Sequence, residues 1–145
     1  MIEKCIADWH KHIRGDLAGG LDALLADDVV FYSPIVFSPQ KGKELTKLYL
    51  MAASNTFTAK QESSSEKASR ENEPFRYSKE VLSGNSAVLE FETKMGGKYV
   101  NGVDIITCND EGKIVEFKVM IRPLQAIQLI HQQMAKMLEK MQSNA

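Results

Sequence analysis

The chain has 145 residues, 43% of them hydrophobic and 26% charged, with a formal net charge of −1. One domain of this length buries roughly two-thirds of its unfolded surface, and a charge this near neutral, with no basic stripe, excludes nucleic acid and an anionic membrane surface as partners. No run reaches the ~18 apolar residues of a membrane span, and Asp8 and Lys11 interrupt any apolar leader at the start, so a cytoplasmic location is expected.

From residue 2 to residue 14, Ile2, Cys5, Ile6, Trp9 and Ile13 recur at helical spacing and predict an apolar stripe. Gly15-Asp16 breaks this helix, and Asp16 is placed to cap a second, short one whose start is weakened by Gly19-Gly20. Leu21, Leu24 and Leu25 supply its buried edge and Asp27-Asp28 its end. A strand over 29–33 follows, with Val29, Phe31 and Ser33 on one face.

Ser33-Pro34 and Ser38-Pro39 bracket an irregular segment, because a residue before proline avoids the helical region. Its apolar residues Ile35, Val36 and Phe37 are expected to turn inward as a lid or hairpin. A third helix after Gly42 has Leu45, Leu48, Tyr49 and Ala52 on its inner side. Residues 58–73 are rich in Ser, Glu and Lys without an apolar period and read as a surface loop.

Strands are predicted over 75–82 and 87–95, the second with Ala87, Leu89, Phe91 and Thr93 on one face. Residues 99–123 then read as two long strands joined by the hairpin loop Asn109-Asp110-Glu111-Gly112. In the second of these strands Val115, Phe117, Val119 and Ile121 alternate with Glu116, Lys118, Met120 and Arg122. The first carries a lone acid, Asp104, among β-branched and apolar residues. Pro123 opens a last helix over 124–142 with Leu124, Ile127, Ile130, Met134, Met137 or Leu138, and Met141 as its stripe. Cys5 and Cys108 lack CxxC spacing and fit reduced core positions. The order of elements predicts one α+β domain over 1–145: a cone-like curved, mixed but mostly antiparallel β-sheet wrapped around the N-terminal helices, with an extra C-terminal helix.

On Trp9, the run from Leu21 to Phe31, Ser33-Pro34, the helix start at Gly42, and Val103-Asp104 followed by Asn109 and Gly112-Lys113-Ile114, the chain resembles the nuclear transport factor 2-like superfamily. Within it the chain resembles the SnoaL-like polyketide cyclases and ketosteroid isomerase, over about 6–122. The resemblance implies the cone fold and dimerisation through the outer sheet face. It leaves activity open, since members are isomerases, dehydratases, cyclases, hydrolases or carriers without catalysis. Ketosteroid isomerase uses an Asp base with a Tyr and a protonated Asp as oxyanion donors. The base position falls here on Ser33, the tyrosine on Trp9, and the protonated acid on Asp104. The epoxide hydrolases of the superfamily pair such an Asp with an Arg two residues earlier, a place taken here by Gly102.

Asp104 is therefore the candidate acid, base or oxyanion donor, set against a structural reading in which it pairs with a neighbour such as Lys118. His12, three residues from Trp9 on one helix, is the candidate helper near neutral pH; its alternative is an exposed surface position. Trp9, Phe31, Ser33, Phe37, Tyr49, Phe91, Phe117, Val119 and Ile121 are the candidate ligand-binding wall, or plain core. No metal motif, glycine-rich phosphate loop or nucleophile elbow occurs, so neither metal nor cofactor is expected. Two function classes follow: a cofactor-independent isomerase, cyclase or dehydratase acting on a small apolar molecule, or a non-catalytic dimeric carrier for one. A third is a protein-binding adaptor.

Overall fold

The computed structural model describes residues 1–58 and 73–143, so the surface loop expected between them lies outside the described residues. Four helices and six strands occur among those described: α1 (Ile2–Ile13), α2 (Gly20–Leu24), β1 (Leu25–Tyr32), β2 (Gln40–Lys41), α3 (Lys43–Thr58), β3 (Glu73–Ser83), β4 (Ser86–Met95), β5 (Lys98–Cys108), β6 (Ile114–Arg122) and α4 (Leu124–Ser143). The strands form one curved, open sheet in the order β2-β1-β6-β5-β4-β3. Every ladder is antiparallel except that between β1 and β6, which is parallel and ties the N-terminal part of the chain to its last strand.

Alternation decides which face is covered. Ala87, Leu89, Phe91 and Thr93 on β4, and Val100, Asp104, Ile106 and Cys108 on β5, are all buried on the inner face. One buried cluster joins α1, α2 and β1 to the Leu89 and Phe117 end of this face. A second joins α3 and α4 to Phe91, Met95 and Val100, with Val119 and Tyr77 packed against both. The C-terminal helix thus covers its own sheet.

Several local expectations are corrected. The α1 stripe ends at Trp9, because Ile13 is the last helical residue and stands 46% exposed. Asp16 does not cap α2: its N–H returns to the Lys11 carbonyl at 2.8 Å, and the N-cap is Gly19 at φ 81°. Leu25, Asp27 and Asp28 belong to β1, because the parallel ladder already begins at Leu25 opposite Ile114. On α3 Ala52 is buried as expected, but with Thr46 and Leu50, whereas Leu45, Leu48 and Tyr49 are half-buried. A bulge opposite Thr107–Cys108 puts Ile114 on the inner face and displaces Val115 from the row of Phe117, Val119 and Ile121. Leu124 is exposed and Ala126 takes its place in the α4 stripe with Ile130 and Met134.

Phe37 does not turn inward: it is 100% exposed and Val36 is 40% exposed. The cause is local. Ser33 Oγ accepts the backbone N–H groups of Ile35 at 3.0 Å and Val36 at 3.3 Å, a serine turn that directs the following residues outward.

Candidate functional site

The alternation of β5 sends Asp104 to the inner face, between its cross-strand neighbours Leu89 on β4 and Val119 on β6. It is 6% exposed. Among the described residues no cation pairs with it, and the suggested partner Lys118 is not within reach. Lys118 sits in register with Ile105 on the opposite face, 4.8 Å from the centre of the Tyr32 ring and 3.7 Å from Glu116. The partner is a residue that periodicity did not single out, Tyr77.

Tyr77 Oη donates to Asp104 Oδ2 at 2.6 Å and accepts from Trp9 Nε1 at 3.0 Å. Three elements supply this chain. α1 turns Trp9 into the core on its apolar stripe. β3 holds Tyr77 opposite Phe91, on the inner side, before a register shift at Ser78. β5 supplies the acid. Burial pushes the Asp104 carboxyl up to about 7, against which the Tyr77 hydrogen bond acts as a smaller, lowering influence. Burial, and then the nearby Asp104 charge, holds the Tyr77 phenol well above its ordinary range.

An aromatic shell surrounds these groups. Trp9 packs on Phe117 at 5.0 Å, Phe117 on Phe31 at 6.0 Å, and Phe31 stacks on Tyr49 at 5.6 Å. On the other side Phe75 meets Tyr77 at 5.1 Å and Phe91 at 5.0 Å. Four of the sequence-derived wall residues, Trp9, Phe31, Phe91 and Phe117, are therefore core members. The ring of His12 lies 5.4 Å from that of Trp9, and burial lowers its pKa. Among the described residues His12 makes no hydrogen bond to Asp104. Its neighbour His10 instead hydrogen-bonds Glu80 and packs edge-on against Tyr77 at 5.6 Å.

Tyr49 stays with this aromatic shell, stacked on Phe31, and the other four wall residues meet elsewhere. β1 stops at Tyr32 opposite Lys118, while β6 runs on to Arg122. This mismatch opens a cleft of about 550 Å³ lined by Tyr32, Ser33, Pro34, Phe37 and Pro39 on one side and by Lys118, Val119, Met120 and Ile121 on the other. Ser33, Phe37, Val119 and Ile121 are brought together here. Val119, a lining residue of the cleft, is also the cross-strand neighbour of Asp104 in the β5–β6 ladder. Among the described residues no three His, Cys, Asp or Glu side chains converge to hold a metal ion, and no helix is long and apolar enough to cross a membrane.

Comparison with solved structures finds the same fold along most of the chain. A steroid delta-isomerase from Pseudomonas aeruginosa is 29% identical, with a TM-score of 0.80 over 98% of this chain and 94% of that one. An uncharacterised bacterial protein with a cystatin-like fold from Silicibacter pomeroyi is 26% identical, with a TM-score of 0.69 over 91% and 83%. A nuclear transport factor 2-like protein of unknown function from Mesorhizobium loti is 15% identical, with a TM-score of 0.63 over 84% and 91%. No protein-family model matches the chain, and no curated protein does.

Proposed function

For this chain, which has the fold of the nuclear transport factor 2-like superfamily, we propose cofactor-independent acid–base chemistry on a small, largely apolar substrate, with Asp104 giving or taking the proton. The observation that carries this reading is a buried carboxyl with no cation beside it among the described residues, bonded to one hydroxyl, whose cross-strand neighbour Val119 lines a cleft. A carboxyl held near 7 populates both protonation states at neutral pH, the condition under which one group serves efficiently as acid and as base. The likeness to a structure described as a steroid delta-isomerase favours the isomerase end of a range that includes cyclases and dehydratases. Phe37, Pro34 and Val119 would contact the apolar body of the substrate in the cleft.

A carrier without catalysis is the second reading, and Ser33 favours it. The residue at the base position of ketosteroid isomerase is here a serine whose oxygen is occupied by two backbone N–H groups. Deuterium uptake next to the carbonyl of an apolar ketone, followed by NMR, separates the two. Acceleration by the protein that falls at least ~100-fold in Asp104→Asn is expected for the enzyme. Ketone binding without exchange selects the carrier. In either reading we place a second copy of the chain against the outer sheet face, where Val81, Val88 and Met120 are 54%, 36% and 53% exposed. A monomer in sedimentation rejects that placement.

A further inference from the structure

The hydrogen bonds behind Asp104 have a fixed direction, and the direction is set by the group at the far end. An indole N–H donates and cannot accept. Tyr77 Oη must therefore be the acceptor of the Trp9 bond, at 3.0 Å. The phenol keeps one proton, and that proton points at Asp104 Oδ2, 2.6 Å away. With the Trp9 N–H occupying an acceptor site of Oη, Oδ2 is the favoured acceptor of the phenol proton in both states of Asp104. A neutral carboxyl has one O–H and accepts best at its carbonyl oxygen, so with Oδ2 accepting, the proton is favoured on Oδ1, which has no hydrogen-bond partner among the described residues. We propose that Trp9 and Tyr77 are positioning residues that fix the Asp104 proton on Oδ1, so that the acid presents one free donor to a ligand oxygen. This rests on the acid–base reading of Asp104 given above.

Removing the indole N–H shows what it prevents. Without it, Tyr77 Oη can accept from Asp104 Oδ2–H and turn its own proton elsewhere, which leaves Oδ1 bare of a proton. The indole also has no acidic proton to exchange near neutral pH, so the chain orients the carboxyl without relaying protons from behind. Among the described residues the groups around it are few. β4 and β6 present Leu89 and Val119 to Asp104, and β3 presents Tyr77. One step out, the His10–Glu80 pair lies against Tyr77 and His12 against Trp9.

Trp9 is the only tryptophan in the chain, so its indole cross-peak in a ¹H–¹⁵N spectrum is assigned without a variant. The test is a pH titration of that peak beside the ¹³C carboxyl signal of Asp104. The expected result is that both move with one shared midpoint, and that Asp104→Asn removes this step from the indole peak. Tyr77→Phe uncouples the two signals and moves the carboxyl midpoint up by about one pH unit, since a donor to the carboxylate is gone. Trp9→Phe moves it in the same direction by less. An indole peak that stays flat through the Asp104 transition overturns the proposal in the unmodified protein, whatever the variants do. So does a Trp9→Phe variant that folds and titrates as the parent does. Coupled titration in a protein that exchanges no ketone proton supports the positioning and rejects the enzyme, so the two failures are distinct.

Discussion

The ring of Phe91 occupies the space that a side chain at Gly102 would need. The two residues face each other across the β4–β5 ladder, and a Cβ built on Gly102 would lie 2.5 Å from Phe91 Cζ and 2.5 Å from the Met120 carbonyl oxygen. Gly102 shares the inner face with Asp104, two residues away, at the position that the sequence resemblance to epoxide hydrolases assigns to an arginine. Here an aromatic ring and a backbone carbonyl close that position. Gly102→Ala is expected to cost about 1–3 kcal/mol in chemical denaturation, because the carbonyl cannot move aside as a flexible side chain would. A variant as stable as the parent rejects this account of the glycine.

Asp104→Asn is expected to stabilise the protein in a pH-dependent way. The carboxyl titrates at about 7 when folded and at about 3.9 when unfolded, so ionising it opposes folding. Its contribution is neutral below the unfolded value, grows unfavourable as pH rises from about 4 to about 7, and is constant above. Melting curves of parent and variant should coincide near pH 3.5 and separate progressively up to pH 8, where the variant is favoured by a few kcal/mol. A variant that is less stable at pH 8 makes Asp104 a structural acid.

Phe37→Ser tests the cleft without touching the core. The ring is fully exposed, so stability should change by no more than about 0.5 kcal/mol. An anilinonaphthalene dye titrated against the protein should bind several-fold more weakly to the variant if the cleft takes apolar ligands. Unchanged dye affinity removes Phe37 from the site.

Two residues of α4 give a paired test of how that helix packs. Ile130 is 0% exposed against the inner sheet and α3, and Ile130→Ala should cost about 2–5 kcal/mol. Leu124, nominally on the same stripe, is 67% exposed, and Leu124→Ser should cost little. Equal losses measured by urea denaturation would mean that α4 packs in another rotation.

Period-2 alternation carried much of this architecture in the sequence. It placed Ala87, Leu89, Phe91 and Thr93 on one face, and all four are buried there. What local pattern leaves out is pairing at a distance. Leu25 reads as the end of a helix, yet it is a strand residue because Ile114 lies beside it. Val115 fits the alternation of β6, but a bulge breaks the row. Tyr77 was missed for both reasons. Its strand shifts register one residue later, and its bond to Trp9 spans 68 residues of sequence. The available signal was Phe75 and Tyr77 at i, i+2 on a predicted strand, which share a face and point the hydroxyl the same way as Phe91. Phe37 has the apolar character of a core residue, but the turn that Ser33 Oγ makes with the Ile35 and Val36 N–H groups carries it outward.

The single parallel ladder has a consequence for how the chain assembles. β1 has only the two-residue β2 as an antiparallel neighbour, and its main partner, β6, lies near the other end of the sequence. During synthesis β1 therefore waits, its Val29 and Phe31 without their sheet partner, until β6 has been made. The meander from β3 to β6 has only short-range connections and can form first, since contacts of low sequence separation close fastest. Pulse-labelled amide exchange during refolding should find Leu89 and Ile106 protected before Phe31, which makes joining the N-terminal strand to the finished sheet the late step.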